Sequence, residues 1–285
     1  MSRWLITGAS GMLATELLGR LQAAGESVLA LRRDELDLRD GPAVRHLVSA
    51  CRPDTVVNCA AWTAVDDAET HEAEALAVNG HGVRALAEAC ERLGARLIQP
   101  STDYVFDGTA LDPYREDART CPVNAYGRTK LAGERAVLEV LPETGYVVRT
   151  AWLYGATGKN FVRTMADLER TRPSLDVVDD QVGPPTWVGD LAAGIIELGR
   201  TGPPPGVYHA TGAGQTSWYG FAREIFELVG ADPDRITPVS TKEFARPAPR
   251  PAYSVLGHER WSRAGLPPMR DWREALRGSD VLVRG

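Results

Sequence analysis

The chain has 285 residues, enough for one large domain or two of ordinary size, with ample core in either case. Apolar residues make up 44% of it and charged residues 25%, a globular balance that excludes a disordered or fibrous protein. A net charge of -6 argues against a general nucleic-acid surface and a polybasic membrane anchor, and leaves room for an anionic small ligand held by a local cluster of Arg.

Residues 4–7 form a short apolar run that stops at Gly8-Ala9-Ser10-Gly11, after which Leu13, Leu17, Leu18 and Leu21 return at helical spacing. Strand, glycine turn and helix together aim free backbone N–H groups and a helix N-terminus at a phosphate. The motif is Gly-x-x-Gly-x-x-Ala, with Ala14 at the position that needs a small residue for close helix-to-strand packing. A second apolar run, 28–31, ends at Arg32-Arg33. An acidic residue at this place would hold a ribose 2′-hydroxyl, whereas Arg suits the 2′-phosphate of NADP, so the pattern favours NADPH with Arg32 as its contact. The alternative is that both Arg side chains only solvate a strand end.

Asp37-Leu38 precedes a helical stretch at 42–51, and a third strand at 55–58 leads into Cys59-Ala60-Ala61-Trp62-Thr63, where small residues let either a flat ligand or a packed neighbour approach. Residues 73–93 read as helix interrupted around Asn79-Gly80, with Asn79 in a structural role at the kink. A fourth strand at 96–99 delivers Ser101, Thr102, Asp103 and Tyr104 to its carboxyl end. Four β-then-α alternations call for a parallel sheet with helices on both faces, and ligands in such sheets bind at the carboxyl ends of the strands. Gly8, Arg32, Ala61 and Thr102 all fall at such ends.

Helix at 124–138 puts Tyr126 and Lys130 four residues apart on one face. A phenol normally ionises near ~10, and a neighbouring ammonium moves that value toward working pH, which makes the pair a candidate proton donor. On spacing alone, a surface contact on an amphipathic helix is the favoured reading. A fifth strand at 146–149 leads into Thr150-Ala151-Trp152, where Trp152, an aromatic just after a strand, reads as core. The pattern then loosens: helix at 160–168, strand at 175–178, the turn-rich 180–186, helix at 188–198, strand at 207–210, a long helix at 218–229, and a short one near 272–276. Arg246 and Arg250 sit in a Pro-rich loop, where they either meet water or hold a diphosphate.

The expected fold class is therefore α/β: a doubly wound parallel sheet with a smaller C-terminal α/β substrate lobe. Residues 1–150 plus about 187–214 make the dinucleotide-binding domain, and about 151–186 plus 215–285 the substrate lobe. Cys51, Cys59, Cys90 and Cys121 show no metal or redox spacing and read as reduced thiols of a cytosolic protein. The histidines at 46, 71, 81, 209 and 258 form no metal cluster. No signal-peptide pattern and no apolar run near ~20 residues is present.

The motifs LITGASGMLA (5–14), ELDLRD (35–40), NCAAWTAVDDAE (58–69), STDYVFDG (101–108), YGRTKLAGE (126–134), RTAWLYG (149–155) and DQVGPPT (180–186) span most of the chain. In this order they resemble the extended short-chain dehydrogenase/reductases, and within them the dTDP-4-dehydrorhamnose reductases. The resemblance implies a cytoplasmic enzyme that reduces the C4 keto group of a dTDP-4-keto-6-deoxysugar with NADPH or NADH, with a Rossmann-type extended fold. Tyr126 would protonate the C4 oxygen, Lys130 would lower the Tyr126 pKa and hold the nicotinamide ribose, and Thr102 would bond the same sugar oxygen. Asp103, Tyr104 and Trp152 would shape the sugar pocket, with Arg250 at the diphosphate. On the cofactor side the match assigns Gly8, Ser10, Gly11, Met12 and Leu13 from the turn. It adds Arg32, Asp37 and Leu38, then Ala60, Ala61, Trp62 and Thr63. Some members bind Mg²⁺ at a homodimer contact through acidic side chains. Glu16 matches one such position, but the other ligands are not found and the tail 281–285 holds no Glu, so Mg²⁺ and the dimer mode stay open. Rival readings on the same scaffold are a dihydrostreptose-type or antibiotic-sugar 4-ketoreductase and a non-catalytic NADP-binding regulatory subunit. Subunits of the last kind tend to lose the Tyr or the Lys.

Overall fold

The computed structural model describes residues 2–282, so 283–285, including the part of the tail read above for a missing Glu, lie outside the described residues. Short β-branched and aliphatic runs become strands β1 (Arg3–Thr7), β2 (Ser27–Leu31), β3 (Thr55–Asn58), β4 (Arg96–Thr102) and β5 (Gly145–Thr150). With Gly206–His209 they form one six-stranded sheet in the order 206–209, β5, β4, β3, β1, β2, and every pairing is parallel. Such a sheet is covered on both faces, and the alternation of side chains along each strand shows it. Trp4, Ile6, Val57, Ile98 and Val148 pack on helix α1 (Met12–Ala23) and the helix Val188–Thr201. Their neighbours Leu5, Val56, Leu97 and Val147 point the other way, onto α2 (Gly41–Cys51) and the helices Val83–Glu91 and Ala125–Val140. The expected doubly wound α/β sheet is thus the observed one.

The chain order reverses between β1 and β3, which places the crevice of a doubly wound sheet at their carboxyl ends. A further core, built from Tyr154, Val162, Phe221, Ile225, Phe226 and Trp272, lies in the later part of the chain. Two boundaries differ from the sequence reading. The break expected around Asn79-Gly80 is a π-helical turn, Ala77–Gly82, between Glu72–Leu76 and Val83–Glu91. Strand β4 runs on to Thr102 because β5 keeps pairing with it as far as Thr102 opposite Thr150. Among the described residues no helix is long and apolar enough to cross a membrane.

Candidate active site

The turn after β1 is pressed against the loop after β3. Gly8 has φ +66°, and a Cβ there would lie 2.6 Å from the Ala60 amide nitrogen, so only glycine serves on both counts. Beneath it runs a buried polar chain across three strands: Thr7 Oγ1 donates to Asn58 Oδ1, and Asn58 Nδ2 donates to Gln99 Oε1 at 2.7 Å. Asn79 secures the next part of the loop, accepting from the Trp62 amide at 2.9 Å and donating through Nδ2 to the Trp62 carbonyl and to Thr129 Oγ1, both at 3.0 Å. The π-helical turn is what brings this side chain inward, a recurrent use of such turns. Asn79 therefore ties the loop after β3 to the helix that carries Tyr126 and Lys130.

That helix, Ala125–Val140, is started by Asn124, whose Oδ1 accepts from the Gly127 amide at 2.8 Å, and by Glu69, whose Oε1 accepts from the Ala125 amide at 2.7 Å. Gly127 lets it press on the turn at Tyr104, since a Cβ there would stand 2.2 Å from the Tyr104 carbonyl oxygen. Under the site, the buried pair Arg149–Glu134 closes at 2.7 Å and Ser101 Oγ donates to the same carboxylate at 2.6 Å, fixing β4 and β5 to the helix.

A cavity of about 500 Å³ opens at these strand ends. It brings together Thr102, Asp103, Tyr104, Tyr126, Lys130 and Trp152, and on its other side Gly11, Met12, Leu13, Ala61 and Thr63. Lys130 is buried, donates Nζ–H to the Pro100 carbonyl at 2.7 Å, and is brought down by burial to about 8. Burial pushes the Tyr126 phenol up, the Asp103 carboxylate adds to the rise, and the Thr102 hydroxyl pulls the other way. The expected lowering of the Tyr126 pKa by Lys130 is therefore not the balance in this structure, because the ammonium is turned to a backbone carbonyl and desolvation dominates. Asp103 is itself raised by burial to about 6. Thr102 Oγ1 donates to Asp103 Oδ1 at 3.0 Å and accepts from the Tyr104 amide at 3.1 Å. Asp103 Oδ2 and Thr150 Oγ1, on two residues that line the cavity, are buried without a hydrogen-bond partner.

Trp152 has φ +47°, a conformation that a bulky residue rarely keeps without support. The support is visible: its indole lies flat on that of Trp218, with centroids 3.5 Å apart, and Gly183 leaves room against its edge. Trp218 and Lys159 also line the cavity and were missed from sequence. Trp218 begins a helix after a two-residue strand, and nothing local signals a partner 66 positions away. A second cavity of about 710 Å³ shares Tyr104 and Trp218 with the first and holds Phe161, Arg172, Arg246 and Arg250.

Other expected residues sit elsewhere. Leu38 is buried in the sheet core, 3% exposed, with its Cβ against the π-helical turn at Gly82. Arg39 bonds to Asp37 and holds its carboxyl down at about 2, with Arg33 3.7 Å away. Arg33 is thereby engaged, while the Arg32 side chain has no hydrogen-bond or ion-pair partner among the described residues. Gly8, Ser10, Ala60 and Trp62 form the turn and loop behind the cavity lining. Glu16 accepts from Arg20 Nε at 2.7 Å, and no group of three or more His, Cys, Asp or Glu among the described residues is placed to hold a metal ion. That donor set does not fit a Mg²⁺ site within one copy of the chain.

Residues 2–280 match the family model described as RmlD substrate binding domain. The chain is 57% identical to a dTDP-4-dehydrorhamnose reductase of Streptomyces griseus, over 99% of this chain and 94% of that one. It is 53% identical to a dTDP-4-keto-6-deoxy-D-glucose reductase of Streptomyces niveus, over 96% and 95%. Its structure superposes with a TM-score of 0.92 on a dTDP-4-dehydrorhamnose reductase of Bacillus anthracis in complex with NADP, at 38% identity over 96% and 97% of the two chains.

Proposed function

The chain belongs to the RmlD substrate binding domain family, and on that premise we propose that it reduces the C4 keto group of a dTDP-4-keto-6-deoxysugar with NADPH, taking dTDP-4-dehydro-β-L-rhamnose to dTDP-L-rhamnose. The observation that carries this reading is the convergence of Thr102, Tyr126 and Lys130 with Gly11 and Met12 in one cavity. The bound cofactor supplies the hydride for C4. Negative charge then gathers on the C4 oxygen, and hydroxyl donors already in place stabilise it as it forms. Tyr126 gives that oxygen its proton. A phenol held above its ordinary pKa keeps the proton until the forming alkoxide, a much stronger base, takes it. Lys130, one helical turn on, gives its Nζ–H to the Pro100 carbonyl in this structure, so offsetting the phenolate that remains requires it to turn toward Tyr126, and an ammonium brought down to about 8 can pass a proton back near neutral pH. Thr102 has one hydroxyl proton, given to Asp103 in this structure, so bonding to the substrate oxygen requires it to turn away from that carboxyl.

Arg32, without a side-chain partner among the described residues, is the group proposed for the 2′-phosphate, which makes NADH the poorer donor. Asp103, Tyr104 and Trp152 would enclose the sugar, and the Arg-lined second cavity would take the nucleotide diphosphate on Arg250. In this division, residues 1–150 with about 187–214 hold the cofactor and about 151–186 with 215–285 the substrate. The same reading makes the protein cytoplasmic, without a nucleic-acid partner, and is compatible with a homodimer, with or without a Mg²⁺ ion held at Glu16 between two copies. The test is NADPH oxidation with a panel of dTDP-4-keto sugars, including the product of a 3,5-epimerase acting on dTDP-4-keto-6-deoxyglucose. Turnover of the epimerised sugar is expected. Preference for the unepimerised sugar would select the second reading, favoured by the relative of 53% identity, and binding of NADPH with no oxidation would select a regulatory subunit.

A further inference from the structure

The segment after Thr63 carries carboxylates that grip different parts of the molecule. Glu69 holds the start of the catalytic helix at Ala125, and Glu72 pairs with Arg128 on its first turn at 2.6 Å. Asp66, in the short helix Val65–Ala68, faces away from these. Its Oδ1 accepts from the Ala248 amide at 3.2 Å and from Arg250 Nη1 at 2.5 Å, and its Oδ2 lies 3.9 Å from Arg246 Nη1. Arg250 Nη1 also donates to the Ala248 carbonyl. Both of these bonds use Nη1; the guanidinium also stands beside the Tyr104 hydroxyl, whose ionisation it favours, and the side chain is only 15% exposed. Both arginines line the second cavity and Asp66 does not.

We propose that Asp66 is a positioning residue for Arg250: it holds one guanidinium nitrogen so that Nε and Nη2 are presented to the diphosphate of the nucleotide sugar. The proposal rests on the reading that this cavity takes a dTDP-sugar. Arg is a long side chain whose ordering opposes binding, and one fixed in advance by a charge-assisted bond has already lost that freedom. Two guanidinium groups against one carboxylate leave a net positive charge for the ligand. Because Asp66 follows Thr63 at the end of the cofactor-side loop, the loop that borders one cavity also sets the cation that serves the other.

Asp66→Asn keeps an acceptor for the Ala248 amide and removes the charge that orients Arg250, so the loop has a means to stay in place. The experiment titrates dTDP into the full chain saturated with NADP, for the wild type, Asp66→Asn, Asp66→Glu, Arg250→Ala and the Asp66→Asn/Arg250→Ala pair. NADP affinity and melting temperature are measured on each. The expected result is dTDP binding weakened about tenfold in Asp66→Asn, mostly restored in Asp66→Glu, and changed less than twofold when Asp66→Asn is added to Arg250→Ala. NADP affinity stays within twofold throughout. Normal dTDP binding by Asp66→Asn, an equal loss of NADP, or additivity with Arg250→Ala overturns the role of Asp66 alone. A wild-type chain that does not bind dTDP overturns it together with the function beneath it.

Discussion

Lys130 Nζ donates to the carbonyl of Pro100 at 2.7 Å, across the gap to β4, rather than to the phenol of Tyr126 one turn before it. Its burial at that place, not an ion pair, sets its pKa at about 8. A buried cation whose folded pKa lies below its ordinary 10.5 opposes folding at neutral pH, and that opposition fades as pH rises from about 8 toward 10.5. Lys130→Met is therefore expected to melt no lower than the wild type at pH 7 while turnover falls about 10²-fold or more. Thermal melts beside steady-state rates check this, and a clear drop in melting temperature would contradict it.

Tyr126→Phe removes the proton and little else, since the ring keeps its edge contact with Tyr104 at 6.1 Å. Turnover is expected to fall ~10²–10⁴-fold with the NADPH dissociation constant unchanged. A variant of undiminished turnover would take Tyr126 out of the mechanism.

Asp103 is raised by burial from 3.8 to about 6, the opposite sense from a salt-bridged carboxylate. The native state then binds more protons than the unfolded chain between those values, so this group makes stability fall as pH rises from about 4 to 6. Asp103→Asn should flatten that part of the stability curve and stabilise the chain above pH 6, by at most roughly 3 kcal/mol for a shift near two units. Denaturant unfolding at pH 4, 5, 6 and 7 reads the slope; an unchanged slope means the carboxyl is not titrating there.

Arg32→Ala is expected to raise the KM for NADPH about tenfold or more and to leave that for NADH nearly unchanged, because only NADPH carries the 2′-phosphate. Parallel rate curves with the two cofactors decide it. Equal losses with both would assign the residue to the strand end alone.

Glu16 is bonded to Arg20, and the described residues offer no metal-holding cluster. EDTA is accordingly expected to change neither the rate nor the mass by light scattering, and a loss restored by Mg²⁺ would show that ligands come together only between copies.

Much of the sheet was legible because a buried parallel strand and an amphipathic helix write different periods into the chain. Leu5 and Ile6 on opposite faces of β1, and Leu13, Leu17 and Leu21 on one face of α1, are local patterns with one physical reading each. The four-residue step from Tyr126 to Lys130 was legible for the same reason. What the side chains do across the fold was not. The bond of Lys130 to Pro100 joins positions 30 apart, and the choice between a phenol and a carbonyl partner depends on where β4 ends. Leu38 enters the cofactor set through the family resemblance alone, and that its side chain packs in the sheet core with its Cβ against Gly82 of the π-helical turn has no local sign in the sequence.

The stacked indoles of Trp152 and Trp218 stand where the two cavities meet, one borne by the segment after β5 and the other by the later helix Trp218–Leu228. Light absorbed by either ring is shared with its neighbour, so their emission depends on how far the two faces overlap. If the proposed substrate site is right, a sugar nucleotide that changes the overlap of this pair is expected to change the intrinsic fluorescence of the chain, a readout that needs neither label nor turnover.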